Sequence, residues 1–404
     1  MKFLKQMFST QVLKCNPSSI TFKLGSEQPQ ISCPDTLHSL QTASHHLLDL
    51  LQPVVIPTET VYGLAASALN PSAVSKIFTT KHRPPDNPLI VHVSSSQMLN
   101  SLLPQHFTIP PVYYTLMKHF WPGPLTLLFP SNSQLIPPIV TAHLPTVAVR
   151  MPSHPVARAL IAIANTPLAA PSANSSGKPS PTRPEHVLRD LDGKVAVILD
   201  GGSCGVGLES TVVDGLNSDG NIRVLRPGGV TVEDIQRVLE EEMGCTYPKV
   251  LVYGRDFRDQ KAEEVPTTPG MKYRHYSPSV PVTLLRTSSQ PPNNIRPLPV
   301  LDYLGALRSS RQETRPLKVG LLSPTDSNLT HYPLPTDGFE WSRFPLGPMS
   351  DMAQIARNLF DGLLSLERDG VDIILVEEVD PTKEGLAIMN RVQKAAGESQ
   401  WVCF

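Results

Sequence analysis

From Leu37 to Leu51 the apolar residues Leu37, Leu40, Leu47, Leu48 and Leu51 recur at helical spacing, which predicts an amphipathic first helix. Pro53 closes it, and Val54-Val55-Ile56 reads as a short strand. A second helix is expected to begin near Pro71 and run through Val74, Ile77 and Phe78. Residues 89–93, 125–129, 147–150 and 195–199 read as buried strands. Between the last two, residues 155–163 read as a helix closed by Asn165 and Thr166. Residues 1–34 lack such patterning and read as an N-terminal tail, residues 35–243 as the first domain, and residues 244–279 as a linker of poor periodicity. In residues 280–404 strands are expected at 280–285, 318–322 and 372–377, with helices at 349–366 and 386–396. Strands alternating with short helices predict an α/β (mixed α+β) layer structure in which this last part is a smaller, Rossmann-like α/β domain. It has no glycine-rich turn of the dinucleotide type, so its pattern alone implies no cofactor.

Composition narrows the picture. A chain of 404 residues can bury two cores of ordinary size. No apolar run approaches the roughly 20 residues of a membrane-crossing helix. The 42 prolines are roughly twice average usage and are spread through the chain, which points to fixed turns rather than one disordered tract. The five cysteines are widely separated, without metal or disulfide spacing, and favour a reducing compartment. The N-terminal lysines Lys2, Lys5, Lys14 and Lys23 leave open an organellar presequence beside a plain tail, so a cytoplasmic location, with a mitochondrial one as well, is the expectation.

Charge is distributed unevenly. The totals balance at 35 basic and 36 acidic residues, yet between Thr60 and Glu185 the single acid is Asp86. The same stretch holds Lys76, Lys81, Arg83, Lys118, Arg150, Arg158, Lys178 and Arg183. Clearing carboxylates from so long a segment leaves a positive potential suited to small anions.

Several segments could carry chemistry. Pro57-Thr58-Glu59-Thr60-Val61-Tyr62-Gly63-Leu64 follows a strand, where α/β proteins place ligands; an ordinary turn relieved by Gly63 remains the alternative. In Lys81-His82-Arg83-Pro84-Pro85-Asp86-Asn87-Pro88 a point charge and a planar fork precede a proline-stiffened loop, a pair suited to phosphate oxygens. His92 lies in a strand, where a core role and a ligand contact are both open. Arg150 follows Val147-Ala148-Val149, so burying it is costly unless it meets an anion, and salt-bridge partners are scarce in this acid-poor stretch. Residues 171–180, Pro-Ser-Ala-Asn-Ser-Ser-Gly-Lys-Pro-Ser, are dense in hydroxyls and amides, but Pro179 after Lys178 rules out a Walker loop. Glu209 and Asp214 are the nearby acids, with Mg²⁺ binding and strand capping both open.

Taken in order, PTETVYGL, KHRPPDNPLIVH, WPGPLTLLFP, VAVRMPSHP, APSANSSGKPSPT, GLESTVVD and LRPGG resemble the YrdC-like threonylcarbamoyl-AMP synthases. TPGMKYRHYSP and the C-terminal GLAIMNR segment resemble the longer, two-domain branch of that family, so the resemblance runs from about residue 37 to the C-terminus. It implies a twisted mixed sheet flanked by helices. It also implies a nucleotidyltransferase that joins L-threonine, bicarbonate (or CO2) and ATP into threonylcarbamoyl-AMP with release of pyrophosphate. The product passes to a tRNA-modifying complex that acts on the adenosine beside the anticodon. By matching position, Thr60, His92, Arg150, Ala170 and Ser210 are implied at the threonine, Ala170 through its backbone alone. Arg83, Asn87, Thr146, Ser172, Asn174, Ser180 and Arg226 are implied at ATP.

Lys81 and Arg83 are the expected catalytic cations, offsetting repulsion between a carbamate and the α-phosphate, with Mg²⁺ carried by ATP and no metal ligand assigned to the protein. Tyr273, His275 and Tyr276 in the linker are expected to form a lid over a hydrolysable adenylate. Two rivals stand beside this reading. A non-catalytic module could hold double-stranded RNA or tRNA in the same positive concavity, and direct tRNA contact is an expectation in either case. A carbamoyl-transfer enzyme of hydrogenase maturation needs zinc-finger cysteine pairs that this chain lacks.

Overall fold

Proline placement explains where many of the helices begin. Pro34, Pro71, Pro111, Pro138, Pro155 and Pro184 each open a helix, where a missing N–H costs nothing and φ is already set. Two of these starts carry a side-chain cap as well: Asn70 accepts from the Ala73 amide at 3.0 Å, and His154 from the Val156 amide at 3.3 Å. The structure is a computed structural model that describes residues 9–23, 26–244, 247–258, 275–292, 295–310 and 315–404. It divides into two units, residues 1–176 with 180–273 and residues 274–404 with 177–179.

In the first unit the strands are β1 (Gln11–Lys14), β2 (Ile20–Phe22), β3 (Pro29–Ile31), β4 (Val54–Ile56), β5 (Gly63–Ser67), β6 (Ile90–His92) and β7 (Leu125–Pro130). They continue with β8 (Thr146–Arg150), β9 (Leu168–Ala169), β10 (Val197–Asp200), β11 (Thr211–Asp214), β12 (Ile222–Arg226) and β13 (Val250–Val252). Eleven of them form one mixed sheet in the order β1-β10-β4-β5-β9-β6-β8-β7-β11-β12-β13, while β2 and β3 make a separate hairpin. The helices Pro34–Leu48 and Pro155–Ala164 pack on each other, and a dry core of Leu40, Leu47, Leu160 and Ile161 meets Val54, Ile56 and Leu199 of the sheet. The helix over 155–164 closes at Asn165, whose φ of 44° turns the chain in the left-handed region.

Two expectations are corrected here. The first 34 residues are not a tail throughout: β1 runs parallel to β10 along Gln11–Lys14, and Leu13, Phe22 and Ile31 pack against the core. A four-residue edge strand of sequence Gln-Val-Leu-Lys is too short to show a period, so its neighbour rather than its own pattern makes it a strand. Likewise β13 falls inside the expected linker and pairs in parallel with β12.

The second unit holds β14 (Val282–Arg286), β15 (Leu298–Pro299), β16 (Leu317–Ser323), β17 (Phe339–Pro345), β18 (Ile373–Glu377) and β19 (Glu398–Cys403). All pairings are parallel in the order β15-β19-β14-β18-β16-β17, and the strands buried on both faces are continuous apolar runs such as Ile373-Ile374-Leu375-Val376. The helices Met352–Arg368 and Glu384–Ala395 cross over between strands and pack together. Among the described residues no helix is long and apolar enough to cross a membrane.

Candidate active site

The turn from β4 to β5 is the hub of the first unit. Its backbone is held on two sides: the Tyr62 amide donates to Pro181 O and the Leu64 amide to Pro171 O, both at 2.8 Å, while the Ala173 amide donates to Tyr62 O at 2.7 Å. On the other side the Val206 amide donates to Glu59 O at 2.7 Å and the Gly207 amide to Thr60 O at 3.1 Å. The loops 171–181 and 206–210 are thereby drawn to residues 57–64. Gly63 permits the approach, because an added Cβ would lie 3.3 Å from Ala170 Cβ. Inside the turn the Thr58 hydroxyl accepts from the Thr60 and Val61 amides, each at 3.2 Å, and lies 2.8 Å from Thr60 Oγ1.

Arg150 ends β8 and points into this turn. Its side chain is 3 % exposed, Nη1 donates to Thr60 Oγ1 at 2.9 Å, Nε donates to Gly123 O at 3.1 Å, and Nη2 lies 2.5 Å from Glu59 Oε1. The expected scarcity of partners is therefore corrected: the compensating acid is Glu59, one residue before the acid-poor stretch begins. His92 pairs with Arg150 across β6 and β8. Burial, reinforced by the Arg150 charge, pushes the imidazole down to about 3, so it is neutral at ordinary pH. Its buried Nδ1 has no hydrogen-bond partner, an atom that a ligand can satisfy.

Lys81 closes the helix Pro71–Lys81, and His82 in the left-handed region (φ 51°) turns the chain so that Lys81 and Arg83 leave on different paths. Lys81 is 2 % exposed and its ammonium donates to the carbonyls of Ser172 and Asn174. Burial, then the neighbouring Arg83, holds it well below the usual lysine range against the pull of Asp190. Arg83 donates from Nε to Asn87 O at 3.2 Å and from Nη2 to Pro88 O at 2.9 Å, which stiffens the loop with its own cation. Asn87 is 2 % exposed and its buried Oδ1 has no hydrogen-bond partner.

Ser210 stands at the start of β11 opposite this cluster. Its hydroxyl lies 2.8 Å from Thr126 Oγ1 on β7 and accepts from Arg226 Nη2 at 3.2 Å, while Arg226 Nε and Nη2 both donate to Ser210 O, at 3.1 and 2.9 Å. Ser180 donates to Glu209 Oε1 at 2.5 Å. Glu209 thus holds the 171–181 loop, and Asp214 accepts from the Leu216 amide at 2.9 Å in a strand-end turn. Among the described residues no group of three His, Cys, Asp or Glu side chains could hold a metal ion.

The remaining expectations divide. Ser172 and Asn174 join the Lys81 cluster through their carbonyls. Thr146 begins β8 at its half-buried end, four residues from Arg150. The Ala170 amide donates to Ile90 O at 3.0 Å, so its N–H is committed. Tyr273 lies outside the described residues. The Tyr276 ring is 5.2 Å from that of Phe360 and lies under Arg391, whose Cζ is 5.7 Å from the ring centroid. His275 stands beside it at 5.7 Å. Three participants were not anticipated. Thr58 and Glu59 sit in the same motif as Thr60, and Thr126 is the one polar residue within Leu125-Thr126-Leu127-Leu128-Phe129.

Known proteins resemble this chain in sequence and fold. The family model described as telomere recombination (Sua5, YciO and YrdC) matches residues 48–228, and the one described as threonylcarbamoyl-AMP synthase, C-terminal domain, matches residues 230–397. A threonylcarbamoyl-AMP synthase of Schizosaccharomyces pombe is 42 % identical over 92 % of this chain and 91 % of its own length. The enzyme of that name from Bacillus subtilis is 41 % identical over 94 % of this chain and 96 % of its own length. The crystal structure of Pyrococcus abyssi Sua5 complexed with L-threonine superposes with a TM-score of 0.74 at 36 % identity, covering 98 % of this chain and all of that one.

Proposed function

Since the chain belongs to the family of two-domain threonylcarbamoyl-AMP synthases, we propose that the Arg150–Thr60–His92 cluster is where its L-threonine is held. The enzyme makes L-threonylcarbamoyladenylate for tRNA modification, and L-threonine is its amino-acid substrate. The observation that carries the placement is a nearly fully buried arginine beside a hydroxyl and a neutral histidine with an unfilled nitrogen. The threonine carboxylate would meet Arg150, its hydroxyl Thr60 or Ser210, and His92 Nδ1 would gain a partner on binding.

Bicarbonate and ATP complete the proposal. The threonine amine and bicarbonate give a carbamate and water. A carbamate oxygen then attacks the α-phosphorus of ATP, a new P–O bond forms, the bond to the β,γ-phosphates breaks, and pyrophosphate leaves. Both reactants are anions, so positioned cations lower the barrier by offsetting their repulsion. Arg83, stiffened by Asn87 and Pro88, is the cation suited to touch phosphate. Lys81 is already donating to Ser172 and Asn174, so its first role is to hold the 171–176 loop whose polar groups line the nucleotide. Asn87, Thr146, Ser180 and Arg226 complete that lining. Mg²⁺ would arrive with the nucleotide rather than on protein ligands.

The deciding experiment measures pyrophosphate release by the full chain without RNA. Release is expected to require L-threonine, bicarbonate and ATP together, and to fall at least about a hundredfold in the Lys81→Ala, Arg83→Ala double variant. Undiminished release by that double variant, or release independent of threonine, would overturn the assignment.

A further inference from the structure

The second unit carries a crevice lined by none of the residues assigned above to threonine or ATP. It opens at the carboxyl ends of β14, β18 and β16, where parallel α/β sheets place ligands, and encloses about 790 Å³. Its floor is formed by two consecutive glutamates at the end of β18, Glu377 and Glu378, only 3 % and 4 % exposed. Their surroundings differ. Glu378 Oε1 accepts from the Ser288 and Ser289 amides at 2.6 and 2.7 Å and from Ser288 Oγ at 3.1 Å, and Oε2 accepts from Arg286 Nη1 at 3.3 Å. That carboxylate is fully employed in holding the loop after β14. Glu377 Oε1 accepts from Thr287 Oγ1 at 3.3 Å, and its buried Oε2 has no hydrogen-bond partner. Burial pushes the Glu377 carboxyl up to about 7 against the pull of the nearby Ser327 and Thr287 hydroxyls.

We propose that this crevice is a binding site for a small protonated amine, with Glu377 as its anionic anchor. A buried carboxylate oxygen without a donor is costly, and a ligand ammonium would supply both the hydrogen bond and the countercharge. The rim selects the same sign: Asp351, Asp380 and Glu384 line the crevice against one lysine, Lys383. The first two carboxylates already cap local amides, accepting from Gln354 at 2.9 Å and from Thr382 at 3.1 Å, so they contribute field rather than direct anchors. This surplus of acid disfavours phosphates and carboxylates. A metal ion is disfavoured too, since among the described residues no three His, Cys, Asp or Glu side chains converge on one. Met349, Met352, Val379 and Phe404 give the crevice an apolar wall, which suits an amine with a short hydrocarbon body.

The test uses the full chain with ¹³C-labelled glutamate side chains, putrescine as the probe and 1,4-butanediol as its uncharged counterpart. Putrescine is expected to lower the pH at which the Glu377 carboxyl titrates, because a bound cation favours the ionised form. Butanediol should leave that titration in place. Glu377→Gln keeps the shape and is expected to weaken putrescine binding at least about tenfold, while threonine-dependent pyrophosphate release stays unchanged. The wild-type titration stands even should that variant fold poorly. An unmoved Glu377 titration, equal effects of putrescine and butanediol, a shift produced by Mg²⁺ and not by putrescine, or unweakened binding by Glu377→Gln would each overturn the proposal.

Discussion

Arg150 is paired with Glu59 inside the first unit, Nη2 to Oε1 at 2.5 Å, with the arginine side chain 3 % and the glutamate 12 % exposed. A cation so deeply placed is tolerable only because an acid and a hydroxyl share it, and what remains of its field can face an incoming carboxylate. Removing one member of a buried pair strands the other. Arg150→Ala is therefore expected to lower stability by about 3–5 kcal/mol in denaturant titrations. Glu59→Gln should cost less, because its amide oxygen can still accept from the Ser153 amide, now 3.2 Å from Oε2. Arg150→Lys keeps the charge but loses the fork, and a rise of about tenfold or more in the KM for threonine is expected. An unchanged KM would remove Arg150 from the substrate.

His92 makes stability depend on acidity. Its folded value near 3 lies below the ordinary 6.5, so between those limits the unfolded chain holds a proton that the native chain lacks. Stability from this residue is thus intact above 6.5 and is lost as pH falls toward 3, at about 1.4 kcal/mol for each pH unit. Unfolding free energies at several values from pH 7 to pH 4 should show that slope in the wild type and a shallower one in His92→Gln. Equal slopes would mean that His92 is protonated in the folded chain.

The helices starting at Pro71 and Pro155 were legible because an opening proline and apolar spacing agree, and in the second the closing Asn165 agrees as well. Arg150 could be picked out because it ends an apolar strand, an awkward position for a cation, and Lys81 because it stands with Arg83 before a proline-stiffened loop. Short pieces were not legible. Gln11–Lys14 and Val250–Val252 are strands only because β10 and β12 lie alongside, information that no local pattern contains. The pairing of Arg150 with Glu59 was hidden for the same reason, since 91 residues separate them and only the closing of the sheet brings them together. The packing of the Tyr276 ring on Phe360 was hidden likewise, since 84 residues separate the two.

Lys81 offers a test of loop control. Its ammonium supplies donors to two carbonyls, those of Ser172 and Asn174, that would otherwise be underemployed. Lys81→Met preserves the stem and deletes the donors, at a cost of about 1–3 kcal/mol for each group left unsatisfied. Amide exchange at Asn174 and Ser176, whose N–H groups bond Ser172 O and Lys81 O at 3.0 Å, should accelerate about tenfold or more. Activity should fall with it. Exchange rates that match the wild type, together with lost activity, would instead assign Lys81 to direct contact with the nucleotide.

Gly228 tests how tightly the two ends of the site are set. A Cβ built there would lie 2.3 Å from Glu209 O, 2.4 Å from Ser210 C and 2.5 Å from Thr211 N, all of them backbone atoms with no side-chain freedom to yield. The same backbone carries the Ser210 hydroxyl, receives both Arg226 donors and places Glu209 against Ser180. Gly228→Ala must push this strand away, and displacement of about 1 Å at a reacting site is enough for a loss near a hundredfold. Gly220 provides the contrast: it has a positive φ of 71° but nothing within 4 Å of an added Cβ. Gly220→Ala should cost about 1–2 kcal/mol of stability from the left-handed backbone and leave turnover nearly intact. Threonine-dependent pyrophosphate release by the two variants, compared with their unfolding midpoints, separates the effects. If Gly228→Ala loses no more activity than Gly220→Ala, close packing at residue 228 does not position the Ser210–Arg226 pair.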